Sequence, residues 1–103
     1  MEGVNKVAFL VNKPANSWEG LRSGLGLLVE NMWVSVFFID MEIELPAEKS
    51  DEEFTENLEM LDDLEGEVYT NVQANVDKWD YMKFMPLEDM VAKIKEYQQV
   101  VPF

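Results

Sequence analysis

The chain has 103 residues and a formal net charge of −13, with 21 acidic residues against eight basic ones. Its length is that of a single domain, residues 1–103, and its charge argues against nucleic-acid binding, which needs a basic footprint. Cysteine and histidine are both absent, which excludes disulfides, thiol catalysis and thiolate metal sites and removes the commonest metal ligand.

The amino-terminal part of the chain predicts a strand, a loop, a helix and a second strand. Lys6–Val11 and Trp33–Ile39 are nearly unbroken apolar runs, as strands buried on both faces are. Between them, Asn12–Ser17 has the composition of a turn, and Trp18–Met32 has apolar residues at helical spacing. Two buried strands joined by a helix must be parallel, so this segment predicts a βαβ unit.

The remaining chain predicts two further helices and three short strands. Ser50 and Glu53 form a capping box, which begins a helix that continues to about Asp63. Pro86 suits the first turn of the last helix. That helix is predicted at Leu87–Tyr97, the strands at Glu67–Asn71, within Trp79–Met85 at a sheet edge and at Gln98–Pro102, and Asn71–Lys78 is either a loop or a short helix. We therefore predict an α/β fold with three layers, α/β/α, around a four- to five-stranded, mainly parallel sheet.

Ligands of parallel α/β sheets bind beyond the carboxyl ends of the strands. Polar residues follow three predicted strands there, and they make a candidate site for a small molecule or an anion: Asn12, Lys13, Ser17, Asp40 and Asn71. The first loop also opens a helix, whose free amides favour an anion, and Asn16 or Ser17 can cap it, with Asn16 and Glu19 as a capping-box-like pair. The alternative is an ordinary helix start, in which these polar side chains cap the helix and bind no ligand.

Two further features concern contacts with other chains. Aromatic and methionine side chains are dense in one irregular segment and predict an oligomer interface or, equally, core: Trp79, Tyr81, Met82, Phe84 and Met85. The first helix contains Gly20, Gly24 and Gly26, which indicate close approach to the sheet or to another subunit.

The acidic residues are concentrated between Asp40 and Glu67, where thirteen acids accompany a single base, Lys49. A solvated surface that keeps the protein soluble is the ordinary interpretation of such a block. The sharper hypothesis is a docking surface for a basic protein partner, on the outer face of the second helix. The residues that would form it are Glu52, Glu56, Glu59 and Asp63.

Several segments along nearly the whole chain have a recognisable order. They are Val7-Ala8-Phe9-Leu10-Val11, Lys13-Pro14, Glu19-Gly20-Leu21-Arg22 with Gly24-Leu25, Val34-Ser35-Val36-Phe37-Phe38-Ile39-Asp40, the helix pattern Leu87, Met90 and Ile94, and Val100-Val101-Pro102-Phe103. In this order they resemble the DsrE/DsrF-like family, which includes the Tus sulfur-relay subunits.

The resemblance implies a small α/β fold that assembles into dimers, trimers or hexamers. Active members of the family carry a persulfide on a cysteine just after the strand that corresponds to Glu67–Asn71. Asn71 stands where that cysteine is expected, and a carboxamide cannot accept sulfane sulfur. Some family subunits also lack the cysteine and act as structural partners, so the resemblance implies that role here.

The sequence is therefore compatible with three functions. The first is a non-catalytic assembly or partner-binding subunit related to sulfur trafficking, which forms a homo-oligomer. The second is the small-molecule or anion-binding module described above, and the third is an enzyme that uses Asp40 without a cysteine. We expect no cofactor and no metal. The lack of a long apolar run and of a signal-peptide pattern predicts a cytoplasmic protein without a membrane span.

Overall fold

The computed structural model of the protein describes residues 6–30 and 32–103. Within these residues the chain forms five strands and four α-helices, and a 3-10 turn at Pro14–Asn16 leads into the first helix. In chain order the elements are β1 (Lys6–Val11), α1 (Ser17–Val29), β2 (Trp33–Phe38), α2 (Asp51–Asp63), β3 (Glu67–Thr70), α3 (Gln73–Lys78), β4 (Lys83–Phe84), α4 (Leu87–Ile94) and β5 (Gln99–Pro102).

The five described strands form one sheet in the order β4-β3-β2-β1-β5, and every neighbouring pair is parallel. β1 and β2 pair along their whole length, from Lys6 opposite Trp33 to Val11 opposite Phe38. The helix α1 connects them, as the apolar runs predict. The predicted α/β fold is therefore confirmed, with five strands that are all parallel.

Apolar side chains from alternate strand positions enter two cores, one on each face of the sheet. The larger core packs α1 and α2 against Phe9, Val36 and Phe38. The smaller core places Met90 of α4 against Phe37 on the opposite face. Helices thus lie on both sides of the sheet, as the predicted three layers require.

Two predicted helices are shorter in the structure, and each ends with a tightened turn. The helix α1 ends at Val29 instead of Met32, and the Glu30 amide donates back to the Leu27 carbonyl at 3.0 Å. The helix α4 ends at Ile94 instead of Tyr97, and the Tyr97 amide donates to the Ile94 carbonyl at 3.0 Å. Such three-residue bonds commonly close the last turn of a helix.

The two predicted helix caps have opposite outcomes. The capping box at α2 is confirmed, since the Glu53 amide donates to Ser50 Oγ at 3.2 Å and the Ser50 amide donates to Glu53 Oε1 at 3.4 Å. The predicted cap of α1 is wrong. Asn16 stands at the cap position without a side-chain hydrogen bond, and the Ser17 hydroxyl donates backward to the Pro14 carbonyl at 2.8 Å. The 3-10 turn supplies this carbonyl and takes the place of a side-chain cap.

The described helices are too short or too polar for any of them to cross a membrane.

Candidate functional site

The carboxyl ends of β2 and β3 meet at Asp40 and Asn71. The backbone amide of Asp40 donates to Asn71 Oδ1 at 2.8 Å, and Asn71 Nδ2 donates to Asp40 Oδ1 at 2.6 Å. Asp40 has a φ of 57°, a left-handed conformation that aspartate tolerates better than most residues. The two side chains are therefore brought together as predicted, but they bond to each other and fix the chain where it leaves β2.

Asn75 of α3 holds the chain just after Asp40, at Met41 and Ile43. Its side chain is 2 % exposed, accepts from the Ile43 amide at 3.1 Å, and donates to the Met41 carbonyl and to Thr70 Oγ1, both at 3.0 Å. Sequence reasoning missed this residue, because a single asparagine in an ambiguous segment carries no signal of burial. Together, Asn71 and Asn75 hold the start of the 41–49 connection against β3.

The first loop contributes less to this edge than its residues suggest. Ser17 is fully buried, and its hydroxyl hydrogen is used by Pro14. Asn12 and Lys13 are exposed and, within the described part of the chain, form no side-chain hydrogen bond or ion pair. Of the five predicted ligand-binding residues, these two are the ones whose polar groups remain available, so anion binding at this edge stays a prediction.

The predicted interface cluster divides between core and surface. Trp79 and Met82 are 4 % and 3 % exposed and belong to the larger core, where the Trp79 ring lies 5.0 Å from the Phe54 ring. Tyr81 and Met85 are half-buried, and Phe84 on the edge strand β4 is exposed. A second copy of the chain would therefore meet Phe84 and parts of its neighbours, and self-association through this segment stays a prediction.

The four predicted docking residues are all exposed and follow α2 along its outer side: Glu52, Glu56, Glu59 and Asp63. Their field reaches the neighbouring loop, because the charge of Glu59 raises the pKa of Tyr81, with further contributions from burial and from nearby aspartates. Within the described residues, Lys49 pairs with Glu53 and Lys78 pairs with Asp51, and both acids lie in α2. A third ion pair joins Lys83 of β4 to Glu67 of β3. None of the four predicted residues takes part in them.

An apolar groove runs beside this acidic side, between α1 and α2. It has a volume of about 290 Å³ and is lined by Arg22, Leu25, Gly26, Val29, Glu30 and Met60. Val29 is 63 % exposed and Met60 is 49 % exposed. Arg22 Nη1 donates to Asn57 Oδ1 at 3.3 Å and joins the two helices at one end of the groove.

The three glycines of α1 have different surroundings. A methyl group on Gly20 would lie 2.5 Å from Val11 Cγ2, and one on Gly24 would lie 2.9 Å from Val36 Cγ2, so both are required for contact with the sheet. A methyl group on Gly26 would meet nothing within 4 Å. Glycine in a helix interior costs about 1 kcal/mol of stability relative to alanine. Packing within the described chain does not explain why Gly26 is retained at this cost, because a methyl group would fit there.

The described residues contain no group of three or more acidic side chains placed to hold a metal ion. Comparison with protein-family models finds none that matches the chain, and comparison with curated proteins finds no significant match. The site must therefore be interpreted from its own residues.

Proposed function

We propose that this protein is a non-catalytic partner-binding subunit that receives an amphipathic, basic helix of another protein in the groove between α1 and α2. The observation that carries the proposal is Gly26, an exposed helical glycine in an apolar groove beside the acidic side of α2.

The apolar groove favours a helix as the bound element. A helix inserts apolar side chains at positions i, i+3, i+4 and i+7 into grooves of this kind. The missing side chain at Gly26 lets a partner backbone approach α1 closely, and Val29 and Met60 offer apolar contacts on either side. Leu64, four residues after Met60 and 46 % exposed, extends the apolar strip beyond the groove.

The charge of α2 favours a basic partner. Glu56 and Asp63 stand four residues before and three residues after Met60, so their side chains are its neighbours on the helix surface. Lysine or arginine residues flanking the apolar stripe of a partner helix would meet these carboxylates. Complementary charge of this kind raises the association rate and selects against acidic partners.

The non-catalytic role is inferred from the polar residues at the carboxyl ends of the strands, which bond to the protein itself. Three of the five predicted ligand-binding residues there are engaged in internal hydrogen bonds, namely Ser17, Asp40 and Asn71. This also makes the alternative, an anion-binding module at the same edge, the weaker proposal. The resemblance to cysteine-less DsrE/DsrF-like subunits supports sulfur trafficking in the cytoplasm as the process in which the partner takes part.

Site-specific photo-crosslinking tests the groove directly. A photoreactive residue at Val29 should capture a partner from the native host, and the same residue at Val91, an exposed apolar position on α4, should not. The recovered partner is then titrated against Gly26→Leu, which fills the groove, and against Ala92→Leu, an exposed change on α4. We expect Gly26→Leu to weaken binding about tenfold or more, as the loss of a close helix contact would. Equal affinity of both variants for every captured protein would reject the groove as the binding site.

A further inference from the structure

A cavity lies at the amino ends of the strands, at the edge of the sheet opposite Asp40 and Asn71. It has a volume of about 90 Å³, which is enough for several water molecules or a small ligand. The residues that line it come from β1, β2, the approach to β3 and the end of α4: Lys6, Trp33, Val34, Ser35, Glu65, Glu67, Lys93 and Tyr97. None of them lines the groove between α1 and α2.

Two ammonium groups at this cavity are held over aromatic rings. Lys6 Nζ lies 5.4 Å from the ring centroid of Tyr97 and 5.8 Å from that of Trp33, and Lys93 Nζ lies 5.5 Å from the ring centroid of Tyr69. Within residues 6–30 and 32–103, neither ammonium group lies within 4.0 Å of a carboxylate. Ring faces orient a cation without neutralising it, so both ammonium groups can still donate hydrogen bonds to a ligand.

A hydroxyl donor accompanies the two charges. Tyr97 donates to Ser35 Oγ at 2.5 Å, and Ser35 is 3 % exposed on β2. A bond between two hydroxyl groups uses one of their two hydrogens, and the Ser35 hydroxyl donates to no other described residue. Its hydrogen is therefore available to an acceptor placed in the cavity.

The carboxylate of Glu67 is already engaged. Tyr69 donates to Glu67 Oε2 at 2.5 Å, and Lys83 Nζ lies 3.4 Å from the same oxygen. Burial alone would raise the pKa of Glu67, but the Tyr69 hydrogen bond and the charges of Lys93 and Lys83 lower it overall. Lys83 pairs with Glu67, and the carboxylates of Glu65 and Glu96 also stand nearby, so this corner is close to neutral in a chain of strongly negative charge.

We propose that this cavity binds a small oxyanion with a single negative charge, held by Lys6, Lys93 and the Ser35 hydroxyl. A carboxylate of two or three carbons and an inorganic oxyanion of similar size share the required chemistry. A dianionic ligand would add a second negative charge beside Glu65 and Glu67, so a single charge is favoured.

A titration followed by amide NMR shifts tests this proposal. Sodium acetate and, separately, sodium phosphate are added at constant ionic strength, with sodium chloride as the reference, at a mildly acidic pH below the second pKa of phosphate, where both anions carry mainly a single charge. We expect saturating shifts at the amides of Ser35, Glu67 and Tyr97 with at least one of the two oxyanions, and none with chloride. Acetate and phosphate distinguish a carboxylate from an inorganic source.

Matched lysine variants separate binding from general charge effects. Lys93→Met keeps the apolar stem and should weaken binding about tenfold, as the loss of one hydrogen bond to a charged group would. Lys95→Met, an exposed change just after α4, should leave the affinity unchanged. Equal affinity of Lys93→Met and wild type would overturn the proposal. So would shifts centred on Asn12 and Lys13, or no saturation with either anion.

Discussion

Asn71 and Asp40 exchange two hydrogen bonds in opposite directions across the carboxyl ends of β3 and β2, at 2.8 and 2.6 Å. One bond reaches the Asp40 backbone amide and the other its carboxylate, so both the backbone and the side chain of Asp40 are fixed. The left-handed φ of 57° at Asp40 is held in this way. The position where the resemblance places a reactive cysteine is thus occupied by a side chain that stabilises the end of the sheet.

Replacing Asn71 should therefore destabilise the fold. Asn71→Ala removes both bonds and leaves the unfavourable φ of Asp40 unsupported, and we expect a loss of about 1–2 kcal/mol in the free energy of unfolding. Asp40→Asn keeps an acceptor at the same place and suits a left-handed backbone, so it should change stability by less than about 0.5 kcal/mol. Urea denaturation of the three proteins measures the difference. A stable Asn71→Ala protein would show that the pair is dispensable.

The fold could be predicted from apolar patterns because each β-strand and helix signals its own type. The runs at Lys6–Val11 and Trp33–Ile39 are short, apolar and rich in Val and Phe, as buried strands are, and a helix that joins two such strands makes them parallel. The ends of helices were less predictable. Asn16 has a good capping side chain, yet the 3-10 turn before α1 makes that bond unnecessary.

The candidate sites were predictable only where chain order fixes position. Asp40 and Asn71 follow neighbouring parallel strands, so their proximity follows from topology, but their mutual bonding depends on the φ of Asp40 and not on the sequence pattern. The groove at Gly26 depends on how α1 and α2 lie against each other. The cavity at Ser35 depends on where α4 ends and lets Tyr97 reach β2.

Alanine substitutions at two glycines of α1 should have opposite effects. Gly20→Ala places a methyl group 2.5 Å from Val11 and should cost about 1–3 kcal/mol, the usual range for overpacking a core. Gly26→Ala meets no neighbour within 4 Å and should stabilise the fold by about 1 kcal/mol through helix propensity. Thermal unfolding checks both. A destabilised Gly26→Ala protein would show that this glycine is required for folding of the isolated chain.

Ionisation of Tyr69 should lower the free energy of unfolding at alkaline pH. Burial, followed by the Glu67 hydrogen bond, raises the pKa of Tyr69 above its ordinary value of 10.0. A raised pKa means that stability from this group is complete below pH 10 and is lost as pH rises toward the folded-state pKa. Tyr69→Phe should therefore be less stable at neutral pH by about 1 kcal/mol, because a hydrogen bond is lost, but should lose stability less steeply above pH 10.

The measurement is urea denaturation between neutral pH and pH 11. Both proteins retain Tyr97, whose pKa burial also raises, and the lysines distant from Tyr69, so the difference between the curves reports Tyr69 together with its contacts to Glu67 and Lys93. Parallel curves above pH 10 would contradict the assignment.

Neutralising the outer side of α2 should separate partner binding from mere solubility. The variant carries Glu52→Gln, Glu56→Gln, Glu59→Gln and Asp63→Asn. Its fold should persist, because Phe54, Leu58 and Leu61 remain fully buried on the other side of α2 and the capping box is untouched. Relief of like-charge repulsion offsets the small loss of Glu52 from the first turn of the helix.

A second variant removes the same number of charges at exposed positions outside α2. It carries Glu44→Gln, Glu48→Gln, Asp80→Asn and Glu96→Gln. If a basic helix binds beside Met60, the α2 variant should associate with the recovered partner about tenfold more slowly at low salt than the second variant does. High salt should reduce that difference, because the Debye length falls to about 3 Å at 1 M. Stopped-flow measurement of the association rates of the two variants with the recovered partner tests this prediction. Equal rates at low salt would mean that the acidic side of α2 only keeps the protein in solution, and the partner would then have to be recognised by the apolar groove alone.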